Sequence, residues 1–294
     1  DYERLRHPRV IGEIDSKQII ADVDIADGLY DAMSEVEDII DEYPEVKFVA
    51  LDVSEFDLTG NGWTIPENVY SAVYQEEISG YFAGYAAVKL GYTKLGYCGG
   101  MAVPAVLRFG YGFLQGADAA AVEEGVDVSV VWGYANQFYG DADITAVMDT
   151  WYGEGTELVF ACGGGVYTSV AEAAAKVGGK VIGVDVDQSF ESDTVITSAM
   201  KGLAATVNTM LSEVVAGNFA NYGGKIVTMG LVDADPAKNY VQLPAETTLW
   251  TEAYTYENYV ELVGKMLNGE VVVSGAIDAL PSVTVKVNEY GNIK

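Results

Sequence analysis

Asp185 and Asp187 flank a single valine directly after the apolar run KVIGV, and they are the residues best placed in this chain to do chemistry. In an extended segment alternate side chains share a face, so both carboxylates are expected to point the same way. Paired acids can divide general acid and base work, or they can accept hydrogen bonds from vicinal hydroxyls, a use that needs no partner base. Lys201, set among apolar neighbours after TSAM and expected at the start of a helix, adds an ammonium. The loop YANQFY (134–139) offers the flat faces of Tyr134 and Phe138 beside the amides of Asn136 and Gln137, a combination that suits a heterocyclic base. Gly163 and Gly164 belong to a triplet that follows an apolar run and opens a helical stretch, where backbone N–H groups can cradle oxygen. The triplet lacks both the G-x-G-x-x-G spacing and a G-K-[ST] ending, so a tight strand-to-helix turn explains it equally well. The single histidine, His7, stands in a charged stretch and reads as solvated. No metal or cofactor is expected.

These residues share a position in the pattern. From Asp41 onward short apolar runs alternate with longer amphipathic stretches, the arrangement of βα units that build a parallel sheet. KFVALD, TKLGYCGG, VSVVWGY, ELVFACGGG and KVIGVDVDQ read as strands, with helices expected near 104–124, 141–153 and 166–177. In open parallel sheets ligands bind beyond the carboxyl ends of the strands, so Asp52, Met101, the 134–138 loop, Gly163, Gly164, Asp185 and Asp187 are the informative positions. SGYFAGYAAVKLGY (79–92) carries Gly and Ala at helical spacing, which predicts a helix in close contact with a neighbour. Cys98 and Cys162 each end an apolar run and read as buried free thiols, with a disulfide only where the two strand ends adjoin.

Half of the 294 residues are hydrophobic, enough to bury a large core in two lobes. Forty-four acids against 16 bases give a formal charge of −28, which disfavours nucleic acid and anionic lipid surfaces as partners. No apolar run reaches the roughly 20 residues of a membrane helix. The chain begins without Met, so any targeting segment is expected upstream of Asp1.

EYPEVKFVALD (42–52), residues 75–118 from QEEISGYFAGYAAVKLGY to GYGFLQGAD, FACGGGVYTSVAEAA (160–174) and KVIGVDVDQSFESDTVITSAMKG (180–202) together resemble the basic membrane protein family of ABC-transporter substrate-binding lipoproteins, which includes purine-nucleoside receptors. The resemblance implies an α/β, type I periplasmic-binding-protein fold of two doubly wound lobes, with residues 1–92 plus 188–245 in one and 93–187 plus 246–294 in the other. It implies a monomeric, membrane-anchored, extracytoplasmic receptor that delivers a nucleoside to an ABC permease and performs no reaction. The ligand would lie between the lobes, its ribose hydroxyls met by Gly163 or Gly164, Asp185 or Asp187, and Lys201, and its base stacked on Phe138 with Tyr134 in reserve. Two departures stand out. No D-x-S-F-N-like segment precedes Asp27, and GGMAVP carries Ala102 where the family often has an Asp that contacts the base. A sugar or signal receptor on the same fold, or a nucleoside hydrolase using Asp185 and Asp187, are the competing expectations.

Overall fold

A computed structural model describes residues 9–13, 19–22, 40–55 and 64–294. The chain divides into two compact units, Asp1–Tyr74 with Leu203–Met229 and Gln75–Gly202 with Gly230–Lys294. The crossings therefore fall at 74/75, 202/203 and 229/230, against the expected 92/93, 187/188 and 245/246. The physical reason lies in two contacts of the larger unit. Residues 76–89 form a helix whose glycines seat against the next helix, and residues 195–201 pair with the strand that ends at Asp185.

In the smaller unit, β1 (Arg9–Glu13) and β2 (Ile19–Asp22) pair antiparallel. β3 (Phe48–Leu51), β4 (Val69–Tyr74) and β10 (Lys225–Met229) form a parallel sheet in the order β10-β4-β3. Ile40, Val46, Phe48 and Val69 make its apolar centre. The helix α5 (Leu203–Val215) is tied in through Thr206, whose hydroxyl lies 2.8 Å from that of Tyr74. The expectation about a missing segment before Asp27 falls partly outside the described residues.

The larger unit is a seven-stranded sheet in the order β11-β9-β8-β7-β5-β6-β12. It comprises β5 (Lys94–Gly99), β6 (Ser129–Tyr134), β7 (Leu158–Cys162), β8 (Lys180–Asp185), β9 (Val195–Lys201), β11 (Val241–Gln242) and β12 (Lys286–Asn292). All pairings are parallel except that of β11 with β9. Alternation along β7 shows how both faces are filled: Leu158, Phe160 and Cys162 enter one core and Val159 and Ala161 the other. The first core is covered by α1 (Glu76–Lys89), α2 (Pro104–Glu124) and α6 (Tyr256–Leu267), the second by α3 (Ala142–Gly153) and α4 (Tyr167–Val177). The unit is thus doubly wound, as expected.

Local chemistry sets the helix limits. Pro104 at the first turn and Gly125 in the left-handed region (φ 66°) bound α2. Asp141 caps α3 by accepting from the N–H groups of Asp143 and Ile144, both at 3.0 Å. Lys294 also pairs with Asp141, and this holds its carboxyl down at about 2.

The α1–α2 pair meets backbone to backbone. A Cβ on Gly80 or Gly84 of α1 would lie 2.0 Å from the carbonyl oxygen of Phe109 or Phe113, and one on Gly112 or Gly116 of α2 the same distance from that of Glu77 or Tyr81. The glycines are reciprocal, so neither helix can yield by itself. Gly112→Ala is expected to destabilise the protein by about 1–3 kcal/mol or more, because a methyl group cannot be accommodated without separating the helices. Urea unfolding of the variant checks this, and an unchanged midpoint contradicts it.

Candidate functional site

The strand order β6-β5-β7-β8-β9 reverses direction between β5 and β7, since the chain moves from β5 to β6 on one side and then back to β7 on the other. Such a switch point leaves a crevice beyond the carboxyl ends of the strands. Here it is walled by glycine backbone. A Cβ on Gly163 would lie 2.8 Å from the Cα of Gly100, and the Gly100 N–H donates to the carbonyl of Cys162 at 2.8 Å.

Phe138 stands over this point. A Cβ on Gly100 would come within 2.5 Å of its ring, and its carbonyl accepts from the Gly165 N–H at 2.8 Å. The ring is half-buried, and the exposed Gly164 (φ 50°) turns the chain next to it. Tyr134 is placed otherwise. Its ring packs edge-on against Tyr97 and Trp132, with centroids 6.3 and 6.0 Å away, and burial pushes its phenol up to about 12. Asn136 is exposed, and its side-chain amide donates to the Lys294 carbonyl at 2.6 Å. Met101 is exposed after β5. Asp52 directly follows β3 in the smaller unit, with φ 63°.

Two expectations need correction. Lys201 closes β9 rather than opening a helix, and it is buried, 6% exposed. Its Nζ lies 3.2 Å from Asp185 Oδ1, 3.8 Å from Glu76 Oε1 and 5.3 Å above the centre of the Phe109 ring. Asp185 and Asp187 do not share a face, because Asp185 adopts φ 66° and strand alternation ends there. Asp185 turns to Lys201, whereas Asp187 accepts from the Ser189 N–H at 3.0 Å and from the Thr247 hydroxyl at 2.7 Å, so it braces its own loop. Two acids so separated do not form an acid/base couple.

Glu76 and Arg108 were missed in the sequence reading. Glu76, at the first position of α1, is fully buried, and Arg108 Nε on α2 donates to its Oε2 at 2.5 Å. The available signal was Arg108 itself, the only arginine after Arg9, set within the apolar VLRFGYGF. The arrangement is a row of alternating charge, Arg108–Glu76–Lys201–Asp185, that ends at the carboxyl edge of the sheet. Asp185 Oδ1 and Glu76 Oε1 are buried without a hydrogen bond of good geometry.

The two thiols sit on adjacent strands but on opposite faces, since Gly99 is the residue opposite Cys162 and Cys98 belongs to the other core. Both are free, and burial raises the Cys98 thiol to about 12 and that of Cys162 higher still.

A doubly wound parallel sheet with a switch point between β5 and β7 and polar groups at the carboxyl ends of its strands is the lobe architecture of type I periplasmic binding proteins. A solute-binding protein of an ABC transporter system from Conexibacter woesei shares this fold, with a TM-score of 0.63 and 21% identity over 88% of this chain and 79% of its own. Residues 27–274 match the family described as ABC transporter substrate-binding protein PnrA-like, and the chain belongs to it. Basic membrane protein B of Borreliella burgdorferi is 30% identical over 237 residues, covering 79% of this chain and 63% of that protein. The ABC transporter nucleoside-binding protein BmpA of Lactococcus lactis is 34% identical over 184 residues, 56% of this chain and 51% of that one. The chain therefore spans between half and two thirds of the length of these relatives. The family is one of binding proteins, not enzymes, and the hydrolase expectation lapses on that ground. Among the described residues no helix is long and apolar enough to cross a membrane.

Glu77, next to Glu76, is buried with Oε2 unpartnered among the described residues, and burial raises its pKa above the ordinary 4.5. A carboxyl with a raised folded pKa favours the fold fully below its unfolded pKa and loses that advantage as pH rises through the folded value. Glu77→Gln is therefore expected to stabilise the protein at pH 8, with a gain that shrinks as pH falls through the raised folded value and is gone below about 4.5. Urea midpoints at both pH values test this, and a gain that grows on acidification contradicts it.

Proposed function

We propose that this protein is the solute receptor of an ABC transporter, that it binds a nucleoside at the carboxyl edge of its larger unit, and that it hands the ligand to a membrane permease. The observation that carries the reading is the Asp185–Lys201 pair, a carboxylate and an ammonium 3.2 Å apart at the end of adjacent strands. An ammonium donates and a carboxylate accepts, so together they match a pair of vicinal hydroxyls, each of which can do both. The ring of Phe138 supplies a flat face for a base, and the Gly163–Gly164 turn lets a ligand approach the backbone closely. The printed name of the Lactococcus relative, a nucleoside-binding protein, supports the ligand class. Similarity to basic membrane proteins supports a membrane-anchored, extracytoplasmic location.

Met101 contributes to the rim, with Tyr134 as a packing support for the loop and Asn136 as an amide on its exposed side. Asp187 keeps the loop in place through Thr247. A sugar reading draws on one observation: position 102, where family members often have a base-contacting Asp, is an exposed alanine. Contacts to hydroxyls remain available in either case.

A thermal-shift screen over purine and pyrimidine nucleosides, free bases and pentoses decides between these. A ligand present at 100 times its Kd adds about 2.7 kcal/mol of apparent stability. Nucleosides are expected to raise the midpoint and free bases to do so weakly; a response to pentoses alone rules out the nucleoside. Asp185→Asn retains a residue that tolerates positive φ while removing the charge, so the apo fold is expected to persist and affinity to fall about tenfold or more. Unchanged affinity removes Asp185 from the site.

A further inference from the structure

We propose that Glu76 and Arg108 are positioning residues for the ammonium of Lys201, and that they act on ligand binding only through it; this rests on the functional reading above. Lys201 emerges at the last residue of β9, where its four-carbon stem has many rotamers. A group that must meet a particular hydroxyl gains by having those rotamers restricted before the ligand arrives. Three elements provide the restriction. The Phe109 ring of α2 lies under the ammonium, Asp185 of β8 draws it from one side, and Glu76 of α1 faces it from the other at 3.8 Å.

Glu76 cannot adjust to the ligand. It is fully buried at the head of α1, whose glycine contacts with α2 fix the spacing of the two helices. Its Oε2 is committed to Arg108 Nε at 2.5 Å, which leaves Oε1 turned toward Lys201. Arg108 therefore sets which carboxylate oxygen faces the lysine. Asp185, whose side chain keeps 37% of its surface exposed, is the member of the row that water and ligand can reach. The row is rigid at its inner end and open at its outer end, as a preorganised donor requires.

The experiment has a readout without ligand and one with it. In protein labelled with 13C at the lysine ε-carbon, the Lys201 ε-methylene signal, assigned through Lys201→Met, is expected to be displaced by the Phe109 ring current. Glu76→Gln and Arg108→Met should each return it toward the position of solvated lysines, and Arg108→Lys should retain part of the displacement. Arg108 is partly exposed, so the Arg108 variants decide the matter where Glu76→Gln does not fold. With the best nucleoside from the screen, Glu76→Gln should weaken binding about tenfold in the wild-type background and less than about twofold in the Lys201→Met background. Equal losses in the two backgrounds, or an ε-methylene signal unmoved by every variant, overturn the proposal even where nucleosides bind. A signal that moves as expected in protein that binds no nucleoside supports the positioning and refutes the ligand class instead.

Discussion

A carboxylate taken out of water must be neutralised where it stands, since an isolated buried charge costs several kcal/mol even after relaxation. Glu76 is such a group, and the architecture at the carboxyl edge of the larger sheet follows from its needs. It begins α1, where the helix dipole favours negative charge, and it faces Arg108 from α2 and Lys201 from β9. Three elements distant in sequence are thereby referred to one point. Each cation depends in turn on the helix contact that holds Glu76 still, the glycine seam between α1 and α2. Burying ions in this way contributes little net stability compared with apolar packing. What it contributes is a defined direction for a charged group at the edge, and a binding protein needs that more than it needs another kcal/mol.

The general plan could be read from the chain because it depends on short-range pattern. Apolar runs of strand length, separated by amphipathic stretches, required βα units, and helices expected near 104–124, 141–153 and 166–177 are found at 104–124, 142–153 and 167–177. The glycine and alanine spacing of 79–92 required a close helix contact, and α2 supplies it through its own glycines. What could not be read was pairing over distance. Nothing local tells whether residues 75–92 pack on one sheet or another, and the units divide at Tyr74 and Gln75.

The site was legible to the same degree. Residue type and position after an apolar run pointed to Asp185 and Lys201, which the fold brings to 3.2 Å. The same reasoning paired Asp185 with Asp187, because alternation assumes that a strand continues. One left-handed residue at 185 cancels the assumption, and no sequence periodicity reports it. The helix expected to start at Lys201 begins later for a similar reason: Ala199 and Met200 carry no β preference, yet pairing with Val184 and Asp185 holds them extended. Glu76 and Arg108 escaped for a related reason. Each looks like an ordinary helix charge until its burial is known.

Among the described residues the non-glycine positions with positive φ are Asp52, Asn136 and Asp185, and each stands at the carboxyl end of a parallel strand or within two residues of it. Asp and Asn tolerate this region better than other side chains, but it still costs local energy, and such cost persists only where the surroundings impose it. At Asp185 the imposing neighbours are identifiable. The Val186 N–H donates to the Val184 carbonyl at 2.7 Å, and the Gln188 side chain accepts from the Val184 N–H at 2.9 Å, so the chain is turned sharply out of the sheet at that residue. A strand that simply continued would send the carboxylate to one face of the sheet, into a core. The turn instead delivers it to the edge, within reach of the lysine on the next strand. Backbone strain at Asp185 and the buried charges behind Lys201 thus serve one geometric end, which is to fix an acceptor and a donor side by side at the carboxyl edge of the sheet.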